Sequence, residues 1–215
     1  LREIVISLDS IDEQIHDNIR GVNGSYKKVM EAIDNLSVFG EKISINLLSV
    51  IMSLNLETLV PLIKWVNSNS KINSINFNAI TEPLCSNTGD KWYLNSAYSY
   101  LWPKPDSSDM LIDELIRLKE NRAKIGNSVP QLKVFKNFFR QPELFIKKGK
   151  CHMGKTVSVN SEGHVFMCQY YGDIGNIKKD DFGEIWQNDN AAKVRNTILE
   201  CERNCKMLVN CNFQE

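Results

Sequence analysis

Five of the six cysteines in this 215-residue chain fall in its last 65 residues, at positions 151, 168, 201, 205 and 211; the first 150 residues hold only Cys85. A segment that short buries little apolar surface and needs a staple, which cysteines supply as disulfides or as metal or cluster ligands. A secreted disulfide framework would usually spread its cysteines across the whole core, and the opening LREIVISLD has no signal-peptide character. No run of about 18 apolar residues is present to span a membrane as a helix. Lys plus Arg equals Asp plus Glu at 26 each, so the polyanion binding that a strongly basic chain invites has no footing. The expectation is a cytoplasmic protein with neither nucleic acid nor membrane as partner.

The first 150 residues have a different grammar. EIVISLD (3–9) reads as a strand buried on both faces, because its apolar run is nearly continuous and β-branched. SYKKVMEAIDNLSVFG, opened by a Ser25 cap and closed by Gly40, has helical spacing at Val29, Ile33 and Leu36. KISINLLSVIM (42–52) is then a strand, LETLVPLIKWVNS (56–68) a helix and INSINFNAI (72–80) a strand. This alternation predicts right-handed crossovers and a parallel sheet, with the chemistry in the loops after the strand C-termini. Three strands do not close a barrel, so the remaining strands are expected elsewhere. Residues 81–107, rich in proline and aromatics, form a long loop that suits an active-site lid and a packed excursion about equally. Helices follow at 108–125 and in PQLKVFKNFF.

From Cys151 onward TVSVN (156–160) and HVFMC (164–168) read as strands joined by Ser161-Glu162-Gly163, a hairpin that sets residue 156 opposite 168. A Gly175-Asn176 turn and short helices around DFGEIWQ and NAAKVRNTILE come next. The domain reading is therefore 1–150 and 151–215. The hairpin places Cys168 at its open end, where Cys151 enters, and Cys201-x3-Cys205-x5-Cys211 supplies further thiols. Four thiolates around one point suit tetrahedral zinc or an iron-sulfur cluster. Zinc sites usually show paired CxxC knuckles, absent here, so spacing favours iron-sulfur and leaves zinc as the alternative. Cys85 reads as a stray thiol, and His152 and His164 as surface or hairpin residues rather than ligands.

The run Cys151-x11-Gly163-x4-Cys168, with GNI at 175–177, EIW at 184–186 and the cysteine tail, resembles the SPASM or Twitch auxiliary-cluster domain of radical S-adenosylmethionine (SAM) enzymes. Upstream, ISLDSIDEQIHDNIRG (6–21) resembles the stretch around the fourth strand of the radical SAM barrel. The resemblance implies an α/β fold: the C-terminal half of a partial (β/α)6 TIM-like barrel over 1–150, followed by a small cluster-binding domain of a β-hairpin plus helices. It implies an enzyme, an oxidoreductase that cleaves SAM to a 5'-deoxyadenosyl radical and modifies a peptide or small polar metabolite. Its auxiliary 4Fe-4S cluster would anchor substrate or pass an electron, and a flavodoxin or ferredoxin would supply the reductant. Ser7 and Asp9 match the ribose-contacting positions, and Arg20 matches an arginine able to meet the SAM carboxylate as a bidentate fork.

Two departures accompany the resemblance. The CxxxCxxC triad that holds the SAM-cleaving cluster occurs nowhere in the chain, so that second 4Fe-4S cluster and the first three βα units are expected upstream, in about 100 residues by the usual size of a βα unit. Five clustered cysteines suffice for one auxiliary cluster, with Cys151 and Cys168 its firmest ligands and two of Cys201, Cys205 and Cys211 completing it. Gln169 stands where some peptide-dehydrogenating relatives place an acidic base. The competing reading is a non-catalytic binding module stapled by zinc or a cluster.

Overall fold

A computed structural model describes residues 2–82, 91–142, 151, 153–201 and 209–210. The chain divides into two units, one of residues 1–145 with 206–215 and the other of residues 146–205. Among the described residues no helix is long and apolar enough to cross a membrane.

The first unit runs β1 (Glu3–Ser7), α1 (Glu13–Arg20), α2 (Ser25–Ser37), β2 (Ser44–Ile51), α3 (Leu56–Ser68), β3 (Ser74–Ala79), α4 (Pro105–Glu120) and α5 (Val129–Arg140). Its three strands are parallel in the order β1-β2-β3, with Ser7 opposite Leu48 and Leu48 opposite Asn76. On β2 and β3 burial alternates residue by residue. Ile45, Leu47, Ile51, Ile75 and Phe77 face the helices and are at most 1% exposed, while the other face is half-buried. The expectation that β1 is buried on both faces does not hold: Val5 is 56% exposed, and among the described residues β1 pairs with β2 alone.

The opposite edge of the sheet is closed by unusual means. The Ile75 N–H donates to the Lys124 carbonyl, and the Gly126 N–H to the Ile75 carbonyl, each at 2.8 Å. Asn127 then accepts from the Phe77 N–H at 2.6 Å and donates to its carbonyl at 2.8 Å. Asn210 does the same for Ala79 at 2.7 and 2.8 Å. Two carboxamides thus stand in for a fourth strand, satisfying backbone groups that an edge leaves open.

Of the described part of the long loop, Trp92, Tyr93 and Trp102 pack inward while Leu94 and Tyr100 are exposed. Trp92, fully buried, meets Trp102 edge-on at 5.5 Å between ring centroids, and Trp102 meets Phe138 and Phe139 of α5 at 5.2 and 5.3 Å. Cys85 lies outside the described residues.

The second unit is a three-stranded antiparallel sheet, β4 (Ser158–Val159), β5 (His164–Phe166) and β6 (Gly175–Asn176), followed by α6 (Phe182–Gln187) and α7 (Asp189–Leu199). The hairpin has the expected register, with Ser158 opposite Phe166 and Val159 opposite Val165, but its strands are shorter than five residues. Gly163 takes φ +88° in the turn, where a Cβ would be strained. Gly175-Asn176 is a strand rather than the expected turn: Val165 pairs with Gly175 and His164 with Asn176. Glycine serves a close approach there, since a Cβ on Gly175 would lie 2.8 Å from Cγ1 of Ile185 in α6.

Candidate functional site

At the C-terminal end of β1 the chain builds a closed polar node around Asp9, which is 1% exposed. The Asp9 N–H donates to Nδ1 of His16 at 3.2 Å, and the Asp9 carbonyl accepts from Nδ2 of Asn55 at 2.8 Å. Oδ1 accepts from the Val50 N–H at 2.9 Å, and Oδ2 pairs with the Arg20 guanidinium at 2.6 Å. Four partners from α1, the α3 N-terminus and β2 therefore converge on one residue. Asn55, itself 1% exposed, also donates to the Val50 carbonyl at 2.9 Å and accepts from the Met52 N–H at 3.1 Å. One amide ties the ends of β1 and β2 together.

Two residues that the sequence reading quoted without assigning, His16 and Asp17, explain how α1 and α2 are held there. Burial of His16 pushes its imidazole below the usual histidine range, against the opposing pull of Asp9. The neutral ring fits its duty, because Nδ1 must keep a lone pair to accept from Asp9. Asp17 accepts from the Tyr26 N–H at 2.8 Å, the Gly24 N–H and the Ser25 hydroxyl. These bonds, the one from Tyr26 foremost, hold its carboxyl below the ordinary carboxylate range and fasten the start of α2.

Of the residues singled out in the sequence, Asp9 and Arg20 are thus brought together. The Arg20 side chain is 34% exposed against 2% for Asp9, so the guanidinium carries the pair's outward face. Ser7 is half-buried two residues before Asp9, and its hydroxyl makes no hydrogen bond to the described residues.

The second unit has one small apolar cluster of Val165, Met167, Ile174, Ile185, Ala191, Val194 and Ile198. Cys151 and Cys168 both pack against it. Cys201 ends the turn after α7, its N–H reaching the Ile198 carbonyl at 3.4 Å. All three are half-buried. Cys205, Cys211 and His152 lie outside the described residues. Among the described residues no three His, Cys, Asp or Glu side chains form a metal-holding group, so Cys151, Cys168 and Cys201 alone do not close a site.

The shared motifs have physical reasons here. Asp181 caps α6 by accepting from the Gly183 N–H at 2.7 Å, and Asn188 caps α7 by accepting from the Ala191 N–H, also at 2.7 Å. Asn188 further donates to the Ile174 carbonyl at 2.9 Å, pinning α7 to the connection before β6. Ile185 of the EIW stretch rests on Gly175 of the GNI stretch, and Trp186 lies under the Arg195 guanidinium at 4.2 Å. His164 pairs with Asp173 on the surface of β5.

Against known protein families, residues 151–212 match SPASM, described as an iron-sulfur cluster-binding domain. The overall fold of the chain is similar to that of native anSMEcpe, an anaerobic sulfatase-maturating enzyme of the radical SAM class, in the structure with bound AdoMet and Cp18Cys peptide. The TM-score is 0.55 at 20% identity over 97% of this chain. The chain spans 58% of that structure's length. No curated protein matches it.

Cys151 and Cys168, half-buried soft thiols against one apolar cluster, are donors of the kind that an iron-sulfur cluster takes. The SPASM resemblance read from the cysteine spacing agrees with the family match over residues 151–212, and the α/β fold implied by the upstream resemblance agrees with the structural likeness.

Proposed function

We propose that this chain is the C-terminal part of a radical SAM enzyme, the later strands of a partial (β/α)6 barrel plus an auxiliary-cluster domain, acting on a peptide or small polar metabolite. The observation that carries the reading is the packing of Cys151 and Cys168 against one apolar cluster inside a SPASM match. Four of Cys151, Cys168, Cys201, Cys205 and Cys211 would hold a 4Fe-4S cluster, the fifth being spare. When bound, SAM and a second 4Fe-4S cluster, on cysteines outside this chain, supply a 5'-deoxyadenosyl radical that takes a hydrogen from the substrate.

The chain's own residues bind and orient. Arg20, held by Asp9, offers its remaining guanidinium donors to a carboxylate such as that of SAM. Ser7 and Asp9 form the strand end on which the ribose would lie, with the His16 and Asn55 bonds fixing the Asp9 backbone. Cys151 and Cys168 pack against apolar neighbours that would shelter a bound cluster from water. Thiolate ligands need a reducing compartment, which puts the protein in the cytoplasm with a flavodoxin or ferredoxin as electron donor.

The test is anaerobic incubation of the complete gene product with SAM and dithionite. The reading predicts 5'-deoxyadenosine, lost when Arg20→Ala weakens SAM binding. A gene product whose preceding 120 residues, about three to four βα units, contain no CxxxCxxC and which forms no 5'-deoxyadenosine would leave the non-catalytic zinc- or cluster-stapled module.

A further inference from the structure

The two asparagines that close the outer edge of β3 are held in very different ways. Asn127 caps Phe77 from a segment tied down on both sides. Its neighbour Gly126 donates to the Ile75 carbonyl, its carboxamide donates to Oε1 of Gln131 at 2.9 Å, and Ser128 caps α5 by accepting from the Gln131 N–H at 3.2 Å. Asn210 caps Ala79 from 131 positions away, accepting from its N–H at 2.7 Å and donating to its carbonyl at 2.8 Å. Among the described residues the support beside it is Val209, fully buried in the first core. One buried side chain and two net hydrogen bonds offset little of the entropy lost when a chain end is fixed on so distant a strand. The next residue in sequence is Cys211.

We infer that Asn210 is a positioning residue for Cys211, so that docking of the tail on β3 and capture of the iron-sulfur cluster form one linked equilibrium. With Val209 buried and the Asn210 carboxamide bonded twice, the backbone that enters Cys211 has little freedom left. A ligand on ordered backbone loses less freedom on binding than one on a free tail. The linkage runs both ways: a group that binds only the docked tail stabilises the docking by as much as the docking strengthens its hold. Ala79, at the C-terminal end of β3, therefore reports whether the cluster is in place. The inference rests on the reading above that the tail cysteines hold the cluster, and it makes Cys211 one of the four ligands rather than the spare.

The experiment compares amide hydrogen exchange in the full chain after anaerobic reconstitution with iron and sulfide against the same chain kept metal-free and reduced. Iron should slow exchange at Ala79 about tenfold, the order of one net hydrogen bond. Ile75 and Phe77, held by Lys124 and Asn127, should stay equally protected in both states. Cys211→Ala should remove the slowing at Ala79. Iron should pass to an added chelator about tenfold faster from Asn210→Ala, by the same linkage. Asn127→Ala strips the equivalent cap from Phe77 and should release iron at the wild-type rate, which separates positioning from simple destabilisation. Equal exchange at Ala79 with and without iron, a comparison that needs no variant to fold, would overturn the inference while the retained iron leaves the cluster reading intact. Wild-type iron release from Asn210→Ala would do the same. A wild-type chain that takes up no iron would overturn both.

Discussion

The two units are held together by very different amounts of apolar surface. Among the described residues, the first unit buries twenty-five hydrophobic side chains in one cluster between its sheet and helices. The second buries seven, with only short strands to organise them. A core of the first size stands alone, whereas one of the second size is normally completed by disulfides, metal or a cluster. The described cysteines, Cys151, Cys168 and Cys201, lie where the core is thin. Loss of iron and loss of packing should therefore strike opposite units.

The largest effect expected is from the cluster ligands. Cys168→Ala should abolish iron retention and broaden the NMR signals of residues 153–201, while the strands of the first unit stay protected from hydrogen exchange; collapse of both units together would break the contrast. The mirror experiment is Phe77→Ala, a fully buried ring at the centre of the first core. Its cost is about 3–5 kcal/mol by denaturant titration, with iron content unchanged.

Asn55→Ala comes next. It strips partners from the Asp9 and Val50 carbonyls and the Met52 N–H, and should destabilise the first unit by about 2–3 kcal/mol. Gly163→Ala forces a side chain into positive φ in the second unit's hairpin, at about 1–2 kcal/mol, which chemical denaturation of the iron-loaded protein should resolve.

The smallest effect is a pH dependence. The folded state keeps the His16 ring neutral below its ordinary pKa of 6.5, so the unfolded chain binds the extra proton first. Stability from this group is complete above pH 6.5 and declines as pH falls toward the lowered folded value. Melting curves between pH 7 and 5 should show that decline, and His16→Gln should flatten it.

Much of this division was legible in the sequence. The helix at 56–68 has the bounds read from its pattern, and the hairpin register follows from turn and strand lengths alone. What sequence conceals is pairing across distance. Gly175-Asn176 reads as a turn by composition, yet glycine is there because Ile185 needs the space of its missing Cβ. Asn210 sits among the cysteines, 131 positions from the strand edge it satisfies, and no local pattern announces that return. The Asp9 and Arg20 positions were visible through resemblance. Their pairing was not, because a carboxylate at a strand end has many ways to be satisfied, and only folding chooses one.

The most direct test of the account is the metal content of the chain after anaerobic reconstitution with iron and sulfide in competition with zinc. The account predicts about four irons and four sulfides per chain, the load of one four-thiolate cluster, with little zinc. One tightly held zinc per chain and no retained iron would contradict it.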